Sequence, residues 1–100
     1  MFGWFGRKKV NTDQIEIERG IEMFCSEYSE DGLEYEACRR GIEIAVSVRD
    51  IHFTPSMDRE WIERECRAFA SKSNIPDEKK DEVYWICRET AMQYLKELFV

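Results

Sequence analysis

The sequence predicts an all-α fold, an antiparallel four-helix bundle. Three observations carry that prediction. Apolar residues recur at helical spacing through four separate stretches. The only two prolines, Pro55 and Pro76, stand between those stretches rather than inside them. Strand alternation is absent, and the β-branched run from Ile44 to Val48 belongs to a longer helical period.

The first helix is expected over about 12–30. Asn11 or Thr12 offers an N-cap oxygen, and Asp13 places an anion in the first turn, where the helix dipole favours it. At 100° per residue, Gln14, Ile17, Ile21, Phe24, Cys25 and Tyr28 share one face. Asp31-Gly32 is the turn. The second helix is expected over about 33–51, with Tyr35, Cys38, Ile42, Ala45 and Val46 facing the core. Thr54-Pro55 reads as the N-cap and first position of a third helix over about 55–73, which turns Trp61, Ile62, Cys66 and Phe69 inward. Asn74 is expected in the left-handed region just past that helix, with Ile75 as its apolar partner and Pro76 preventing continuation. The fourth helix, over about 77–99, carries Val83, Cys87, Ala91, Tyr94, Leu95 and Leu98 on one face. Short connections favour antiparallel neighbours. Residues 1–10 read as a basic and aromatic tail and 11–100 as a single helical domain, because a chain of 100 residues has no room for a second core.

The helices carry more apolar surface than one core needs. Leu33, Ala37, Ile44, Val48 and Ile51 lie nearly opposite the core face of the second helix. Trp85, Met92 and Phe99 form a second stripe on the fourth, spaced by sevens, and Ile15 and Met23 lie behind the first. Three coverings are open for this surplus. The second helix is central and Phe2, Trp4 and Phe5 fold back over the remainder; two copies pair about a two-fold axis; or another protein's helix docks there. Arg49 sits within an apolar face, and an ion pair with Asp58 across the second and third helices would satisfy it; Glu65, also on such a face, has no evident partner.

Charge is unevenly spread. The net charge is −6, which argues against direct nucleic-acid binding. Residues 13–36 hold nine acids against Arg19 alone, while Arg7, Lys8 and Lys9 make the N-terminus basic. Asp13, Glu16, Glu27, Glu30 and Glu34 form an acidic surface suited to a basic partner. No apolar run reaches the roughly 18 residues of a membrane span. The aromatics precede the basic residues, the reverse of a secretory signal, so a cytoplasmic protein is expected. Cys25, Cys38, Cys66 and Cys87 then read as four buried thiols acting as small hydrophobes, not as disulfides, and their spacing does not suit zinc.

Catalytic constellations are missing from the sequence. His52 is the only histidine, at a predicted helix end, and no nucleotide-binding, metalloprotease or calcium-loop motif occurs. The expectation is a non-enzyme without cofactor, metal or catalytic residues. It is a small acidic helical interaction protein, an adaptor or inhibitor that binds another protein and acts as a homodimer. Its candidate surfaces are the hydrophobic set Leu33, Ile44, Val48, Trp85, Met92 and Phe99 and the acidic set named above. Two alternatives stand beside it. One is an inhibitor that mimics nucleic acid through residues 13–36. The other is a peripheral membrane protein whose Phe2, Trp4, Phe5, Arg7, Lys8 and Lys9 touch the bilayer interface.

Overall fold

A computed structural model describes residues 2–51 and 54–99, with side chains from Asp13 onward. Among the described residues the fold has four α-helices: α1 (Phe2–Phe24), α2 (Leu33–Asp50), α3 (Pro55–Ala70) and α4 (Lys80–Leu98). A 3-10 turn at Asp77–Lys79 leads into α4. No strand occurs among the described residues.

Two boundaries of α1 differ from expectation. The helix begins at Phe2, so Asn11 and Thr12 do not start it. It ends at Phe24, six residues earlier than the periodicity predicted. Beyond it, Ser29 Oγ donates to Asp31 Oδ1 at 2.5 Å, and the Gly32 N–H donates to the Ser29 carbonyl at 3.0 Å. Short polar side chains that bond locally compete with helical hydrogen bonding, and Ser26, Ser29 and Asp31 are concentrated here. The Ser29 hydroxyl also holds the Asp31 carboxyl below its ordinary pKa.

α2 starts without a side-chain cap at Gly32, but Glu34 and Glu36 supply anions to its first turn. α3 starts as expected: Thr54 Oγ1 accepts from the Met57 N–H at 3.2 Å, and Pro55 occupies the first turn. It stops at Ala70 rather than 73, and no described non-glycine residue has positive φ, so Asn74 is not a left-handed cap. The terminal carbonyls find other donors. Lys80 Nζ donates to the carbonyls of Ala70 and Lys72 at 3.3 and 3.0 Å, which removes the need for a left-handed residue.

α2 is the central helix and touches the other three. It buries residues on both of its sides: Cys38, Ile42, Ala45 and Val46 on one, and Ala37, Ile44 and Val48 on the other. Gly41 lets α4 approach closely, since a Cβ there would lie 2.5 Å from the Cys87 carbonyl oxygen. Gly20 does the same for α1, where a Cβ would sit 2.7 Å from both Ile42 and the Tyr94 ring. Tyr94 closes this junction, donating its hydroxyl to the Glu16 carbonyl at 2.6 Å and meeting Phe24 edge-on.

Candidate interaction surface

The outer face of α4 carries exposed apolar side chains. Trp85 and Phe99 are 54% and 51% exposed, and Met92 between them is half-buried. The seven-residue spacing places all three along one line, opposite the face that buries Val83, Cys87, Ala91 and Tyr94. Glu89 and Lys96, both exposed, lie beside that line. Arg88 braces Trp85, with its guanidinium carbon 5.4 Å from the ring centroid, while its Nε donates to Glu63 at 3.0 Å. The bond to Glu63 raises the Arg88 pKa, outweighing the opposing effect of partial burial.

A groove flanks each end of the stripe. One, of about 370 Å³, lies between α3 and α4 and is lined in part by Pro55, Arg59, Met92 and Phe99. The other, of about 350 Å³, runs between the end of α1 and α4 and includes Phe24, Tyr28, Trp85 and Gln93. Neither groove could be read from a single-helix wheel, because each is formed by two elements.

Most of the second stripe of α2 lies inside the fold, although Ile51 at its end is 44% exposed. Ile44 and Val48 are 3% and 2% exposed, so the expectation that these two meet a partner is corrected, while Leu33 is partly buried. A central helix needs two apolar sides, and the chain's own helices cover both. Ile15 and Met23 on α1 remain exposed, as their position behind the core face predicted.

The acidic set divides. Glu27 and Glu30 are exposed in the turn after α1, and Glu34 is exposed at the start of α2. Asp13 and Glu16 face inward to Arg49, which reaches Glu16 at 2.6 Å, Asp50 at 3.0 Å and Asp13 at 3.5 Å. Arg49 therefore pairs with α1 rather than with Asp58 as expected; Asp58 is buried at the start of α3. Partial burial opposes the charge on Arg49, yet bonds to Glu16 and Asp50 outweigh it and raise its pKa. Asp13 is also raised, by burial first and by Asp50 second. Glu65 does have a partner: Arg40 donates to it at 3.4 Å.

The cysteines fall into two pairs. Cys25 and Cys38 form a disulfide with their Cα atoms 5.8 Å apart, contrary to the reading of four separate thiols. The sequence concealed it because the two lie in different elements and no local motif joins them. Cys66 and Cys87 are buried thiols whose sulfurs approach to 3.0 Å. Among the described residues no cluster of three or more His, Cys, Asp or Glu side chains is arranged to hold a metal ion. No described helix is long and apolar enough to cross a membrane. The side chains of Phe2, Trp4, Phe5, Arg7, Lys8 and Lys9, and all of His52, lie outside the described residues.

Comparison with protein-family models, with curated proteins and with solved structures gives no match.

Proposed function

We propose that this chain is a non-catalytic interaction protein that docks through the outer face of α4, and that its first partner is a second copy of itself. The observation that carries the reading is the exposed line Trp85, Met92, Phe99 on a helix whose opposite face is already buried in the core. Large aromatic side chains are the residues that dominate the energy of protein interfaces.

Self-pairing is favoured by the order of side chains along that face. If two α4 helices cross in opposite directions at Met92, Trp85 of one meets Phe99 of the partner subunit. Glu89 then comes within a turn of Lys96 of the partner subunit, and the two-fold axis repeats both contacts. The stripe is thus complementary to itself in residue order and in charge. In a parallel pairing each residue would meet its own kind, Glu89 against Glu89 and Lys96 against Lys96.

Within one copy, an antiparallel bundle is the arrangement we infer. Its support is that rising numbers in one helix meet falling numbers in the next. Glu63 meets Arg88 and Arg67 meets Tyr84 across α3 and α4, while Cys25 meets Cys38 and Glu16 meets Arg49 across α1 and α2. The Cys25–Cys38 bridge favours an oxidising compartment over the cytoplasm that the sequence led us to expect.

Sedimentation equilibrium of the full chain from micromolar to several hundred micromolar tests the self-pairing. A monomer–dimer equilibrium is expected, weakened at least tenfold by Trp85→Ala. A chain that stays monomeric throughout the range overturns it.

A further inference from the structure

Cys66 on α3 and Cys87 on α4 stand outside the α4 stripe and outside the Cys25–Cys38 bridge. Both are fully buried, with their sulfurs 3.0 Å apart. That is closer than the 3.5–4.0 Å at which even the smaller carbon atoms pack best. Cysteines serving only as small hydrophobes have no reason to face each other at this range. The two helices are clamped on either side of the pair. Arg88 is bonded to Glu63 at 3.0 Å above it, and Arg67 stacks on Tyr84 at 4.7 Å below it. An S–S bond is ~2.05 Å long, so about 1 Å of approach closes the bridge, which small rotations of the two side chains supply.

We propose that Cys66 and Cys87 are an oxidation site, converted by a disulfide oxidant into a second intramolecular bridge. It would staple α3 to α4 as Cys25–Cys38 staples the end of α1 to α2. The oxidant belongs to the class R–S–S–R, such as oxidised glutathione or the disulfide of a dithiol oxidoreductase. One cysteine, as thiolate, attacks a sulfur of the oxidant; the mixed disulfide forms, and the first RS⁻ leaves and takes up the proton that cysteine lost. The second cysteine loses its proton and attacks the sulfur of the first. The second RS⁻ departs with that proton. Two electrons pass from the cysteine pair to the oxidant, and two RSH are released.

Burial dictates when this happens. The hydrogen bond with Cys66 and the loss of water both push the Cys87 thiol up, so it stays protonated inside the folded chain. Only the thiolate is the nucleophile, and the oxidant must also reach it. The bridge therefore forms while the chain is folding, before α3 and α4 close over the pair.

Peptide mapping tests this directly on the full chain. The protein is reduced, unfolded, refolded in a glutathione redox mixture, quenched with acid, unfolded again, alkylated and digested. A peptide joining Cys66 to Cys87 is expected beside one joining Cys25 to Cys38. In a parallel arm refolded with reductant alone, all four cysteines should be alkylated. Recovery of Cys66 and Cys87 as alkylated thiols from the redox arm overturns the proposal. So does their recovery bonded to Cys25 or Cys38 instead of to each other.

Discussion

At Arg49, the cost of burying charge is met by three carboxylates, and they do not share the work equally. Glu16 holds Arg49 at 2.6 Å with both side chains only about one-fifth exposed. Removing one partner of such a pair leaves the other desolvated. Arg49→Met should cost about 1–3 kcal/mol, read as a fall in urea midpoint at neutral pH. Asp13 behaves in the opposite sense. Its folded pKa is raised above the ordinary Asp value, so the fold binds its proton more tightly than the unfolded chain does. The resulting stability is fully present below the unfolded pKa and is lost as pH rises through the folded one. Asp13→Asn should therefore raise the melting temperature slightly at about pH 7 and leave it unchanged near pH 3, as measured by circular dichroism. Gly41→Ala is a further reversal at the same scale. Alanine normally stabilises a helix interior by about 1 kcal/mol over glycine. Here its methyl group would lie 2.5 Å from a backbone carbonyl of α4, so separation of the helices wins and a net loss of about 1–3 kcal/mol is expected.

Among the elements, a boundary fixed by a local bond was easier to read than one that is not; α1 opens at Phe2, not at Asn11 or Thr12. Thr54-Pro55 opens α3 as predicted because its cap is a local hydrogen bond to Met57, and Thr54→Ala should lower stability by about 1 kcal/mol in chemical denaturation. The two ends that came early, those of α1 and α3, lie beside contacts from elsewhere in the chain. α3 stops at Ala70, where Lys80, ten residues on, donates to its last carbonyl. α1 gives way to polar turns after Phe24, beside the disulfide at Cys25. No window of the α1 sequence contains Cys38. The two apolar sides of α2 were visible in its wheel, and so was the outer stripe of α4. What the wheel could not decide was who covers each. The chain's own helices cover Ile44 and Val48, whereas Trp85 and Phe99 stay more than half exposed. That distinction is set by helix order in space, which no single-helix pattern contains.

For the whole molecule, cross-links and assembly follow from the same geometry. The Cys25–Cys38 bridge closes a short loop, separated by 13 residues, and in the chain-entropy account a loop of this size is worth about 3 kcal/mol. Reductant should accordingly lower the melting temperature by several degrees while leaving the helical spectrum at low temperature intact. Assembly is the larger claim, because it turns an apolar face into a function. The charge order on α4 allows a test that depends on pairing geometry rather than on hydrophobicity. In the self-pairing proposed, Glu89 of each copy lies near Lys96 of the partner subunit. Glu89→Lys alone brings lysines together, and Lys96→Glu alone brings glutamates together, so neither variant should dimerise well. Mixed in equal amounts, the two variants restore opposite charges at both ends of the crossing. Sedimentation velocity of the separate variants and of their mixture, at low ionic strength, is the most direct measurement. Monomers separately and a dimer on mixing are the predicted result; wild type, variants and mixture all sedimenting alike would contradict it.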